Sequence, residues 1–190
     1  MSKLILASGS PRRKEILESM GFDFSVRKSG IKEEVPGYIP VVETAEYLAK
    51  YKNEAIKRAA DEIILTADTV VILNDRLLGK PTDELEAKTM LLNLSDAIHQ
   101  VITGVCISSN TNKITFSSMT EVKFGHLTKV EIERYVKKFQ PLDKAGAYGI
   151  QEWIGQIGIE SIKGSYYNVV GLPTHEVYRA LTQVFGVMPS

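Results

Sequence analysis

Apolar residues along this chain alternate in some segments and recur at helical spacing in others. Lys3–Ala7 is a short apolar run that predicts a first strand. Ser10-Pro11 then opens a helix, since Ser caps helix N-termini well and Pro suits the first helical position. Ile16, Leu17 and Met20 carry its apolar stripe and Gly21 closes it. Phe22, Phe24 and Val26 alternate with polar residues and predict a second strand, followed by a loop over 29–41 that holds two glycines and two prolines. Glu43–Ala60 reads as a helix and Ile63–Leu73 as a strongly apolar strand ending at an Asn74-Asp75 turn. Gly79-Lys80-Pro81 is another turn, after which Thr82 caps a helix to about Leu94. Ile98–Ser108 and Lys113–Phe124 read as paired strands. Thr128-Lys129-Val130-Glu131 is a capping box for a helix to about Lys138. Residues 143–172 read as glycine-rich with short β segments, and a last helix starts near Pro173-Thr174. Interleaved strands and helices give an α/β class with a mixed sheet.

Four segments break this pattern. In Ser8-Gly9-Ser10-Pro11-Arg12-Arg13, a strand, a small-residue turn and a helix N-terminus form a natural anion site. Two arginines in the first helical turn oppose the helix dipole at about 0.3–1 kcal/mol each, and a bound phosphate reverses that sign. Solvated arginines paired with nearby acids explain the same pattern. Lys52 lies in the buried stripe of its helix, four residues from both Leu48 and Ile56, whereas Lys50 and Lys57 do not. Snorkelling of its ammonium to water accounts for Lys52 as well as function does. Asp68 interrupts the apolar strand on the face of Ile64, Val70 and Ile72, where a carboxylate must be paired, metal-bound or at a strand end. Asp143-Lys144-Ala145-Gly146-Ala147-Tyr148-Gly149-Ile150-Gln151 is too glycine-rich for a helix and suits close approach of backbone to a ligand.

Composition narrows the picture further. The 190 residues suit one domain, and Lys+Arg and Asp+Glu both total 23. A balanced charge disfavours a duplex-binding protein, so any anion site is local. The single cysteine, Cys106, sits in an apolar run and reads as core. The apolar stretch Leu4–Ala7 is too short for a secretion signal, and no apolar run reaches the roughly 18 residues of a membrane helix. The expectation is a cytoplasmic enzyme with no membrane or nucleic-acid partner. Gly79-Lys80-Pro81-Thr82 is no P-loop, and no G-x-S-x-G elbow is present. His99, His126 and His175 are scattered, and Trp153 and Tyr166-Tyr167 read as packing residues.

Taken in order, Leu6–Arg13, Ala67-Asp68-Thr69-Val70-Val71, Gly79-Lys80-Pro81, Asp143–Gln151 and Gly164–Pro173 resemble the successive motifs of the Maf nucleotide pyrophosphatases. The match spans nearly the whole chain. It implies one domain over 1–190 with a fold like the inosine triphosphate pyrophosphatases: elongated, α/β, with a mixed twisted sheet and a central cleft between two lobes. The implied reaction is hydrolysis of a nucleoside triphosphate to the monophosphate and pyrophosphate, with a divalent cation, Mg or Mn. By the same resemblance the catalytic residue is Asp68, the metal ligands are Glu33 and Asp68, and Ser8, Arg12, Arg13, Lys52 and Lys80 bind phosphate. Substrate choice falls on Arg12, Thr69 and Gln151, and a homodimer is implied. One departure stands out: the family often has Asp-Ile-Asp-Glu where this chain has Gly30-Ile31-Lys32-Glu33, two carboxylates fewer.

Thr69 and Gln151 resemble the branch that uses dTTP and UTP. Thymine and uracil present a neutral C=O, N–H, C=O edge that an amide matches, whereas a cationic 7-methylguanine favours a carboxylate. The expected substrates are dTTP, UTP and modified uridine triphosphates, consistent with a housecleaning role. The alternatives are a 7-methyl-GTP-type pyrophosphatase and a non-hydrolytic nucleotide-binding regulator of cell division.

Overall fold

The apolar runs become the strands of a mixed sheet in a computed structural model of the chain, which describes residues 2–28, 30–31 and 34–190. Strand β1 (Lys3–Leu6) leads to helix α1 (Pro11–Ser19), then β2 (Phe24–Val26) and α2 (Thr44–Ala55). Next come β3 (Glu62–Leu73), β4 (Arg76–Leu78), α3 (Glu84–Leu94), and the long strands β5 (Ile98–Ser108) and β6 (Lys113–Phe124). Helix α4 (Lys129–Phe139), two 3-10 turns, α5 (Trp153–Gly158), β7 (Ile159–Lys163), α6 (Tyr166–Val170) and α7 (Thr174–Arg179) complete the order. Among the described residues the sheet has seven strands, ordered β2-β1-β3-β5-β6-β7, with β4 paired to β3. β1 runs parallel to both β2 and β3, β4 pairs antiparallel with β3, and β7 pairs antiparallel with β6. No described helix is long and apolar enough to cross a membrane.

Local chemistry explains most of the boundaries. Ser10 caps α1 by accepting the Arg13 N–H, and Gly21 follows the helix at φ 80. Asn74 and Asp75, at φ 50 and 60, make the two-residue turn that folds β4 back on β3, a strand absent from the sequence reading. The Thr128–Glu131 capping box is present as expected. Helix α3 is capped by Asp83 and not by Thr82, whose N–H and hydroxyl are both taken by the Glu86 carboxylate at 2.7 Å. Helix α2 stops at Ala55 and not at Ala60, because Ile56 turns extended and packs on Ile5, Ala7 and Ile64. Residues 143–172 hold mainly short helices and turns, with β7 as their one strand among the described residues. Tyr166 and Tyr167 meet edge to face but are 43% and 48% exposed, so they are surface residues and not core packing.

The chain forms two compact units. The first comprises Met1–Asp68, Thr103–Ser118 and Gly171–Ser190. Leu6, Leu17, Leu65 and Ile107 are fully buried in it, and Cys106 is core as expected. Helix α2 lies so close to β5 that a Cβ on Gly104 would stand 2.3 Å from the Ala45 carbonyl, which no side chain can satisfy. Asn53 clamps the same helix: its amide donates to the Ile64 and Cys106 carbonyls at 3.1 and 3.2 Å and accepts from the Ser108 hydroxyl at 2.6 Å.

The second unit comprises Thr69–Ile102 and Met119–Val170. Its core includes Leu91, Leu94, Phe124, Ile132, Tyr135 and Ile154. His99 is part of that core. Its Nε2 shares a 2.7 Å hydrogen bond with the Tyr148 hydroxyl, and its ring stacks on Phe124. Burial lowers the His99 pKa from 6.5 to about 4, so the ring folds neutral. The unfolded chain therefore binds the extra proton first as pH falls. Stability from neutral His99 is intact above pH 6.5 and declines towards pH 4, by on the order of 3 kcal/mol. Urea unfolding at pH 7.5 and pH 4.5 checks this. The wild type is expected to lose more stability between those conditions than His99→Gln, and equal losses would refute the assignment.

Candidate active site

In the first unit, the turn after β1 presents Ser8, Gly9 and Ser10 ahead of α1. The Ser8 hydroxyl is buried and accepts from the Ser10 N–H at 3.2 Å and from Arg13 Nη1 at 3.3 Å, which leaves its own proton to donate. Arg13 Nε donates to the Gly171 carbonyl at 2.8 Å, so the guanidinium is held from two sides. Arg12 is half-buried beside it, and the first turn of α1 contains no acidic residue. Two arginines in the first turn of a helix oppose its dipole, and an anionic ligand at that end reverses the sign.

Asp68 lies midway along β3, beside the turn that follows the end of β1. Leu6 of β1 pairs with Leu65 of β3, and the Ala7 N–H continues the ladder to the Leu65 carbonyl at 2.8 Å. The parallel register brings Ser8 level with Ala67, next to Asp68. Alternation along β3 turns Ile64, Thr66 and Asp68 to the face covered by α2. Each meets that helix or the residue just past its end: Ile64 packs with Ile56, the Thr66 hydroxyl donates to the Ala49 carbonyl at 2.7 Å, and Asp68 Oδ1 lies 2.5 Å from Lys52 Nζ. Lys52 and Asp68 are each 8% exposed. The buried stripe thus carries Lys52 to a carboxylate, not to water by snorkelling. A buried charge needs this kind of pairing, and each member accounts for the other.

The remaining expected residues belong to the second unit. Thr69, the next residue of β3, is half-buried, and Lys80 is exposed on its turn. The Gly146 N–H donates to the Gly79 carbonyl at 3.1 Å, so the turn of Lys80 is tied to the loop that ends at Gln151. Gly146 has φ 69, and a Cβ on it would stand 3.1 Å from Val71 of β3, which fixes this loop against the strand after Thr69. Gln151 is exposed. Glu33 lies outside the described residues. Sequence reasoning placed Lys52 and Asp68 separately on buried faces but missed that they pair. It also gave no role to Asn53 and Gly104, which seat α2. The one available signal for Gly104 was a glycine inside an apolar strand, a mark of close backbone approach.

A mixed α/β sheet that carries a serine–arginine turn at the end of β1 and a buried lysine–aspartate pair between α2 and the neighbouring parallel strand β3 defines the class: an α/β protein with cationic donors and a carboxylate gathered beside one strand end. The chain belongs to the Maf-like protein family, whose model matches residues 3–184. It is 49% identical over 182 residues to a dTTP/UTP pyrophosphatase of Parabacteroides distasonis, covering 94% of each chain. It is 46% identical to proteins of the same description from Phocaeicola vulgatus, covering 96% of each chain, and Flavobacterium psychrophilum, covering 93% of this chain and 92% of that one. Among solved structures, a HAM1 protein from Coxiella burnetii is 14% identical with a TM-score of 0.44, covering 65% of this chain and 73% of that one. A likeness of that size has no part in the assignment.

Proposed function

We propose that this chain hydrolyses dTTP and UTP to the monophosphate and pyrophosphate. The observation that carries the reading is the Lys52–Asp68 pair, buried beside the Ser8–Arg13 turn. In this reading the triphosphate binds through Ser8, Arg12, Arg13, Lys52 and Lys80. Their donors offset its charge and the charge that develops on the leaving pyrophosphate. Asp68 orients a water in line with the α-phosphorus and takes its proton as the new P–O bond forms. The α-phosphate bond to the bridging oxygen breaks, and pyrophosphate departs with that oxygen. Lys52 counters the Asp68 charge until the substrate arrives, then shares its ammonium with a phosphate oxygen.

Oxygen donors fit a hard divalent cation. Among the described residues no cluster of three His, Cys, Asp or Glu side chains is present, so Asp68 supplies a single carboxylate from them. One or two carboxylates plus substrate phosphates is the donor set that suits Mg²⁺. Asp68, with Glu33, would hold the ion, which when bound supplies Lewis-acid stabilisation of the phosphate oxygens.

Arg12, Thr69 and Gln151 are read as the contacts that select the base. An amide pairs donor and acceptor with the neutral edge of uracil or thymine, and names of close relatives support the same choice. The test is kcat/KM with dTTP, UTP, CTP, dCTP, GTP and 7-methyl-GTP, with and without Mg²⁺ or Mn²⁺. The expected result is metal-dependent turnover with dTTP and UTP ahead of every other nucleotide by on the order of 100-fold. Preference for 7-methyl-GTP, or no turnover of any nucleotide, would overturn it.

A further inference from the structure

Gln151 sits on a turn that is fixed by three side chains with no part in the reading above. The Glu152 N–H donates to the Gly149 carbonyl at 3.0 Å, so Gly149–Glu152 is a β-turn with Ile150 and Gln151 at its centre. Tyr135 of α4, fully buried, accepts the Gly149 N–H at 3.1 Å and donates its hydroxyl proton to Glu152 Oε2. Burial, and then the Glu152 carboxylate, raise the Tyr135 phenol above its usual range, so it stays a donor at any working pH. Glu152 Oε1 lies 3.1 Å from Lys144 Nζ, which is itself buried and also meets Asp143 at 2.6 Å.

The packing around this turn leaves little freedom. A Cβ on Gly149 would stand 2.9 Å from the Glu152 carboxyl carbon, and one on Gly155 of α5 would stand 2.2 Å from the Ile150 carbonyl oxygen. Apolar side chains would hold a turn against the core as firmly as this network does. Hydrogen bonds add direction, which packing alone does not fix. Both the N–H of Gly149 and the side chain of Glu152 are bound to one phenol, so the two ends of the turn are locked to a common point. Gln151, on its exposed side, inherits that orientation.

We infer that Tyr135, Lys144 and Glu152 form a positioning network that aims Gln151 and thereby sets the preference for a uracil or thymine ring. None of the three touches substrate. The inference rests on the assignment of Gln151 under the proposed function.

The test compares Gln151→Ala, Tyr135→Phe, Glu152→Gln and Lys144→Met in the full chain. It measures kcat and KM for dTTP, UTP and CTP, and backbone amide exchange across 149–152. Tyr135→Phe and Glu152→Gln nearly conserve volume, so both are expected to fold. The expected result is a rise in KM for dTTP and UTP of about 5–20-fold and a loss of about tenfold in preference over CTP, with kcat within about twofold. Amide exchange at Gly149–Glu152 should rise at least about tenfold. A merely structural role would lower activity on all three nucleotides alike. If Gln151→Ala loses the preference while the network variants keep it, the inference fails and the proposed function stands. If Gln151→Ala changes nothing, the assignment of Gln151 fails, and unchanged amide exchange in the network variants then overturns the network as well.

Discussion

Asp68→Asn is expected to lower kcat for dTTP by about 1,000-fold, equivalent to about 4 kcal/mol in the barrier, while the protein stays folded. Asn matches Asp in shape, so β3 and α2 keep their contacts through Ile64 and Thr66. In the proposed reaction, what disappears is the group that accepts the proton of the attacking water. The same change frees the Lys52 ammonium from its carboxylate partner at 2.5 Å. A buried ammonium without that partner gains more from a phosphate oxygen than it did before. Binding of a non-hydrolysable dTTP analogue is therefore expected to hold or tighten as turnover collapses. Pyrophosphate release and calorimetric titration read the two quantities separately. Near-wild-type kcat would remove Asp68 from the chemistry, and lost binding with normal kcat would make it a substrate contact only.

The candidate site was legible in the sequence to the extent that single residues contradicted their surroundings. Asp68 in an apolar strand and Lys52 in an apolar helical stripe each violated a local period, and both are buried as their positions required. Their pairing was not legible, because α2 and β3 meet through Asn53, Thr66 and Gly104, and no local pattern encodes that contact. The strands fared differently by length. β5 and β6 match their sequence boundaries, since long runs bounded by Asn110-Thr111-Asn112 leave one register. Three-residue β4 is too short for any periodicity.

Elsewhere tertiary contacts overrode local preference. Lys57-Arg58-Ala59-Ala60 favours helix, yet the Arg58 guanidinium reaches Ser108 at 2.8 Å and the Ala59 N–H is taken by Glu62 at 2.9 Å. The Gly-rich segment 143–151 read as close-approach backbone. That reading concerned a ligand, whereas the neighbours that crowd these glycines are protein, Val71 at Gly146 and Glu152 at Gly149, side chains distant in pattern or outside the motif. The sequence reading gave Tyr135 no role, and nothing in its spacing pointed to Gly149 or Glu152.

Lys52→Met is expected to cost stability and turnover together. Met fills the same stripe beside Leu48 but leaves the Asp68 carboxylate buried without its counter-charge. Removing one partner of a buried pair typically costs about 3–5 kcal/mol, which for a chain of this length lowers Tm by on the order of 10 °C. Turnover should fall by roughly 100-fold or more, since the proposed reaction loses the ammonium assigned to the phosphates in the transition state. The double variant Lys52→Met/Asp68→Asn separates the two effects. Neutralising both members removes the stranded charge, so Tm should recover most of its loss while activity does not return at all. A single variant as stable as wild type would mean that Asp68 draws its compensation from elsewhere. A double variant no more stable than the single would place the cost in packing around Leu48 and not in the ion pair.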